Sequence, residues 1–270
     1  TALRQIELPE GLKEIKEMAF YNCPKLLKMT IPAGVEKIGE GAITGRQIIC
    51  YSKNELQGGP NGVVTSSPII LYCWENAPIV SLMGEYTPVE VIYLDTLLNE
   101  NGEIDWNKAK KALLLEDYCE IAVGESYTIG WELLADTDAP IEWKSSDPDI
   151  VSVDNGTITA KKSGFCWVTA TCDGLSAACD IESYIPIERI EVEDAYLPVG
   201  YTVEMEIKTF PKEADDTIWM DVQGDAVSYA VTEATGYLTS ITAQEIGSAN
   251  IIVHATHGDV SASAVAIVTD

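Results

Sequence analysis

Two stretches near the N-terminus repeat one another. "LRQIELPEGLKEIKEMAFYNC" begins at Leu3 and "LLKMTIPAGVEKIGEGAITGR" at Leu26, a period of 23 residues. Leu3, Pro9, Gly11, Ile15, Glu17 and Ala19 recur as Leu26, Pro32, Gly34, Ile38, Glu40 and Ala42. A fixed period of this length marks a solenoid, in which no single coil can bury its apolar face and each must stack on the next. Each unit reads as a short strand (5–8 and 28–31), a proline turn and a second short apolar stretch. "IILYCWENAPIVSLMGEYTPVEVIYLD" follows as strand, short helix and strand. The intervening "SKNELQGGPNGVVTSSP" has the Gly, Ser, Pro and Asn content of an inserted loop.

The signal changes downstream. In "NENGEIDWNKAKKALLLE", Asn101-Gly102 is a turn, and Asp105 is placed to cap a helix through Trp106, Ala109, Ala112 and Leu113. From about Leu114 the texture is β. Asn155-Gly156 is the preferred pair for a two-residue type I′ hairpin. Closing there pairs Val153 with Ile158 and Val151 with Ala160, all on one face. "FCWVTATC" alternates so that Cys166, Val168, Ala170 and Cys172 share a face and Trp167 points the other way. Several short strands separated by regular turns predict an antiparallel sandwich. A second copy follows: Val123-Gly124 and Trp143 recur 76 residues later as Val199-Gly200 and Trp219, and Gly164 recurs as Gly247, 83 later. The extra length falls between Val227 and Ile241. "YIPIERIEVED" reads as a short linker between the copies.

The pattern "L..I.LP.GL..I...AF..C" resembles the BspA-like leucine-rich repeat of bacterial surface proteins, with 69–95 resembling the unit that closes such arrays. "W.SSDPDIVSVDNGTITAKKSGFCWVTATCDG" resembles the bacterial immunoglobulin-like group 2 domain, which would make Trp143, and by repetition Trp219, core aromatics between two sheets. The expected fold is therefore mainly β and multidomain. It comprises a short leucine-rich-repeat solenoid stub with cap over 1–95, a helical connector over 96–113, and antiparallel immunoglobulin-like β-sandwiches over 114–184 and 185–270. The resemblances imply a non-catalytic cell-surface or secreted bacterial protein. Its role would be adhesion to host or microbial surface proteins or glycans, with the sandwiches as spacers and the repeat array presenting the binding face. The alternative is an accessory carbohydrate-binding region of a larger secreted hydrolase.

Composition bears on the partners. A formal net charge of −26 repels nucleic acid and anionic membranes. The densest basic group, Lys108, Lys110 and Lys111, sits among acids. No run approaches the roughly 18 apolar residues of a membrane helix, so no membrane insertion is expected. Thr1 begins in a patterned segment without a signal peptide, which reads as a mature or excised fragment. Seven cysteines without a C-x-x-C fall largely in apolar strands, where a free thiol acts as a small hydrophobe. Cys172 and Cys179 flank the Asp173-Gly174 turn and leave room for one bridge.

Candidate sites are sparse. His254 and His257, three apart in a strand, point to opposite faces and make a poor metal pair. Asn99, Asn101 and Asp105 have the flavour of a calcium loop, but Lys108 stands where a bidentate carboxylate is required. No metal site and no cofactor are expected. Ser145-Ser146-Asp147 is a turn, and no nucleotide-binding or nucleophile-elbow motif occurs, so no catalytic residues are assigned. Trp74, Trp106, Trp131 and Trp167 have no evident core role, and Trp167 is the candidate exposed binding aromatic.

Overall fold

The structure is a computed structural model describing residues 3–54, 56, 69–83, 89–231 and 238–270. The fold is mainly β: a short leucine-rich-repeat solenoid with its closing unit, then two immunoglobulin-like sandwiches. Most of the segment read as an inserted loop, and the 232–237 tip of the long hairpin, lie outside the described residues.

Strands β1 (Gln5–Glu7), β3 (Lys28–Ile31), β5 (Gln47–Cys50), β6 (Ile69–Cys73) and β7 (Val89–Tyr93) form one five-stranded parallel sheet in that order, and β2 (Glu14–Ile15) pairs with β4 (Lys37–Ile38). The 23-residue period is visible in the register, where Gln5 faces Lys28 and Glu14 faces Lys37. The next coil is shorter, since Lys28 faces Gln47. The spacing returns to 23 where Gln47 faces Ile70. Coils approach closely at Gly39, where a Cβ would lie 2.3 Å from the Glu17 backbone nitrogen. Met29, Ile31, Ile48, Cys50, Leu71 and Cys73 fill the interior of the stack.

The other face of this sheet is covered by the chain itself. Leu27, Ile70 and Tyr72 are buried beneath Leu94, Leu97, Ala112 and Leu114. The connector that supplies these residues is not the expected helix. Asp105 does cap, accepting the Asn107 N–H at 3.1 Å, but only a single 3-10 turn, Trp106–Lys108, follows. Ala109 is extended, and β8 (Ala112–Leu115) is a strand buried on both faces. A continuous apolar run of this length does not distinguish helix from doubly buried strand by periodicity. Here the partner strand β11 (Trp131–Leu134) decides it.

The first sandwich contains β8 paired with β11, a second group β10 (Ser126–Thr128), β14 (Thr157–Ala160) and β13 (Val151–Asp154), and a four-stranded sheet. That sheet runs β12 (Glu142–Ser145), β15 (Gly164–Cys172), β16 (Leu175–Tyr184), β9 (Tyr118–Ala122). Asn155 and Gly156 both have positive φ, 47° and 80°, as a type I′ turn requires. Val151, Ile158 and Ala160 are buried while Val153 is half-buried. Cys166, Val168, Ala170 and Cys172 are all buried on one face of β15. No bridge joins Cys172 to Cys179: all seven thiols are free, and Cys172 donates to the Ala139 carbonyl at 3.3 Å.

The second sandwich has two four-stranded sheets. One is β17 (Arg189–Val192), β19 (Thr202–Phe210), β22 (Leu238–Ala243), β21 (Val227–Val231). The other is β18 (Ala195–Pro198), β24 (Ser261–Thr269), β23 (Gly247–Ala255), β20 (Ile218–Gln223). The copies share their wiring: the first strand is split, one half joining each sheet (β8 and β9; β17 and β18). In the first copy the strand equivalent to β19 is broken at Ile129-Gly130. The carboxylate of Glu116, fully buried, occupies the space beside Gly130, where a Cβ would be 2.3 Å from Oε1.

The two tryptophans expected in the cores differ. Trp143 faces inward opposite buried Ala170 but is only half-buried, lying against Gly156 with 2.9 Å from its Cζ2 to a Cβ placed there. Trp219 is 52% exposed. Its register partner His254 lies on the outer face of β23, whose inner face is Ile251, Val253 and Ala255. A one-residue change of register sends a side chain to the other face of the sheet, so Met220, opposite Val253, packs on the core instead.

The described residues within Thr1–Ile121, Ser126–Thr159 and Phe165–Glu182 form one compact unit; those within Ala122–Glu125, Ala160–Gly164 and Ser183–Asp270 form another. Among them no helix is long and apolar enough to cross a membrane.

Candidate functional site

Within the first unit, a row of basic side chains on the repeats meets a row of acids on the sandwich. Arg4 Nε lies 3.6 Å from Glu116 Oε1, and Lys28 Nζ donates to Glu132 at 2.7 Å. Arg46 pairs with Asp117, both side chains largely buried. Lys25 sits 4.1 Å over the Tyr127 ring, whose hydroxyl donates to both Glu116 oxygens at 3.0 and 2.8 Å. Burial, ahead of the neighbouring charges, pushes the Tyr127 phenol up. With the apolar cover described above, this seam closes much of the repeat sheet's outer face.

Two openings remain beside it. The larger, about 900 Å³, is lined by Arg46, β8, the first half of β16 and Trp167. Trp167 is 55% exposed on the outer face of β15. The charges here are largely matched, Arg46 with Asp117 and Lys110 with Glu90.

The smaller, about 470 Å³, opens onto the uncovered part of the repeat sheet. Its lining includes Gln47, Ile49, Ala109 and Leu134 together with Trp106, Lys28, Lys110, Lys111 and Asp136. Trp106 is 40% exposed and makes a T-shaped contact with buried Tyr72, 5.5 Å between ring centroids at 73°. The Tyr72 hydroxyl accepts the Lys110 backbone N–H at 3.1 Å and bonds Gln47. Lys108 Nζ donates to the Leu98 carbonyl at 2.8 Å, fixing the far end of the turn. Trp106 is thus a partly exposed indole in contact with a buried ring. The two openings share Lys110 and Lys111. Among the described residues Lys111 has no ion-pair partner.

The structure separates the other candidates. Asn99 Oδ1 accepts the Asn101 and Glu103 N–H groups at 2.9 and 3.0 Å, and Asp105 serves its own turn, so these oxygens close a loop. His254 stacks on Trp219 at 4.0 Å, and His257 Nδ1 is 2.7 Å from buried Asp216. Among the described residues no group of three or more His, Cys, Asp or Glu is arranged to hold a metal. The Ser145 hydroxyl accepts the Asp147 N–H at 3.2 Å, closing the expected turn. Trp74 is committed to the repeats: its indole N–H donates to the Tyr51 carbonyl at 3.1 Å under the Lys53 ammonium. Trp131 is 42% exposed on β11. Trp106, Lys110 and Lys111 were the missed group. Their signal was present in "WNKAKK", the densest basic group of an acidic chain beside a tryptophan without a core role.

Residues 1–53 match the BspA type Leucine rich repeat region (6 copies). A comparison with curated proteins returns no match. Solved structures with partial likeness include Drosophila OTK, extracellular domains 3–5, at 16% identity and TM-score 0.37, covering 68% of this chain and 65% of that one. Domains 4 and 5 of the S-layer protein SbsC align at 15% identity and TM-score 0.27, over 53% of this chain and 83% of that one. The I-band fragment I67–I69 from titin aligns at 13% and 0.31, over 58% and 64%. The chain spans only 28% of a longer fragment of the S-layer protein. No residue role is transferred from these overlaps.

Proposed function

We propose that the chain is a non-catalytic interaction region of a bacterial cell-surface or secreted protein, acting in adhesion. The observation that carries this is the fusion of a BspA type repeat stack to a sandwich, with a partly exposed aromatic and a lysine without an ion-pair partner among the described residues beside the seam. The sandwiches take the role of bacterial immunoglobulin-like group 2 spacers. The functional division is 1–95 repeats with cap, 96–113 connector, 114–184 first sandwich and 185–270 second. Host or microbial surface proteins or glycans are the partners; the charge of −26 disfavours nucleic acid. The exposed Trp106 favours glycans among these, which keeps the accessory region of a secreted hydrolase as a second reading.

The test has two parts. Antibodies to the chain should stain intact producing cells as strongly as lysed ones. Labelled chain should bind host-cell or bacterial surfaces saturably, and the Trp106→Ala, Lys111→Ala double variant should bind them less. A chain reached only after lysis, or binding indifferent to the double variant, contradicts the proposal.

A further inference from the structure

We infer that the 470 Å³ pocket of Trp106, Lys28, Lys110 and Lys111 binds an anionic sugar unit of a polysaccharide, one acidic group per ring. The inference rests on the surface-interaction reading above and names the ligand class for its site.

Charge is the first argument. The chain carries −26, yet this pocket is lined by three lysines and one carboxylate, Asp136. Lys28 and Lys110 are already engaged by Glu132 and Glu90, so Lys111 is the charge left for a ligand. Among the described residues Lys111 is the pocket lysine without an ion-pair partner, and inside a strongly negative field it accepts a single isolated anion. It does not suit a densely charged polymer such as nucleic acid, which the rest of the surface repels.

Shape is the second. The indole of Trp106 is 40% exposed and in edge contact with Tyr72, which is fully buried and itself tied to Lys110 and Gln47. A partly exposed indole held by a buried neighbour suits the C–H face of a pyranose ring, and a side chain already held loses less freedom on binding. Ile49, Ala109 and Leu134 in the lining give the ring apolar contact, and Asp136 accepts hydroxyl hydrogens. The volume lies in the range of small-ligand pockets. An extended acidic peptide would make little use of a single indole. It would seek an open strand edge, as along the first half of β16 in the larger opening beside Trp167.

Binding of the full chain is measured by calorimetry against oligogalacturonide, chondroitin sulfate, dextran and poly-glutamate. The inference expects oligogalacturonide or chondroitin sulfate to bind, and the comparison of the two assigns carboxylate or sulfate. Dextran and poly-glutamate should bind at least about tenfold more weakly. Trp106→Ala should weaken sugar binding about tenfold or more and Lys111→Ala about fivefold, with Trp167→Ala unchanged. Lys111 is exposed, so its variant retains the fold even if Trp106→Ala does not. Poly-glutamate or dextran binding as tightly as the acidic sugars overturns the inference, as does sensitivity to Trp167→Ala instead of Lys111→Ala. No binding by any probe, with the chain still accessible on intact cells, overturns the sugar assignment alone. A chain confined inside cells overturns the surface reading.

Discussion

At the residue scale, the thiols and the paired tryptophans give the sharpest tests. Burial pushes Cys50 and Cys119 up to about 12 and Cys73 up to about 11, from 9.0. The folded state therefore holds protons that the unfolded state releases first. The stabilisation is complete below pH 9 and is lost as pH rises through the folded values near 11 and 12. Urea midpoints should be flat from pH 7 to 8.5 and fall steadily above 9; a constant midpoint to pH 11 would contradict the burial. Trp143→Ala should cost about 2–3 kcal/mol, because it uncovers the hairpin at Gly156. Trp219→Ala should cost less than about 1 kcal/mol, because its ring lies over His254 in solvent. Equal costs from urea melts would put Trp219 back in the core. Calcium or chelator should leave the melting temperature unchanged, since Asn99 and Asp105 oxygens are bonded to their own backbone; a shift of several degrees would revive a calcium loop at 99–105.

At the scale of elements, Gly39 marks how tightly successive coils stack. Gly39→Ala should lower stability by about 2–3 kcal/mol, as the added methyl would meet Glu17 backbone that cannot retreat alone; an unchanged urea midpoint would mean the coils are further apart. The solenoid was legible in the sequence because Gly11/Gly34 and Pro9/Pro32 recur at a constant offset, and the first sandwich because Asn155-Gly156 fixes a hairpin. The third coil was not, since the spacing shortens between Lys28 and Gln47 and only the strand survives in "GRQIIC". The connector was misread because Ala112–Leu115 owes its conformation to β11, with partners 16 to 22 residues on, and local pattern does not see that partner. Trp219 was misplaced because a constant offset of 76 does not preserve strand parity when one copy shifts register by a single residue. The pocket was legible only as its ingredients: "WNKAKK" is local, but its meaning depends on Tyr72 and Ile49 from distant coils.

At the scale of the whole molecule, the repeat stack and most of the first sandwich lie in one compact unit. They share an apolar cluster to which Leu27, Ile70 and Tyr72 contribute from one side and Ala112 and Leu114 from the other. The ion pairs along the seam add specificity of docking. Arg46→Ala leaves Asp117 largely buried without its partner and should cost about 3 kcal/mol in that unit; differential calorimetry should show one transition lowered and the other unmoved. The unit carries all seven cysteines, Cys23, Cys50 and Cys73 in the repeats and Cys119, Cys166, Cys172 and Cys179 in the sandwich. Pulsed thiol labelling across a urea series, read by peptide mass, therefore reports both sides of the seam at once. Cys50, Cys73, Cys119, Cys166 and Cys179 should become reactive at the same urea concentration; repeat thiols that open at a clearly different concentration from those of the sandwich would contradict a single unit.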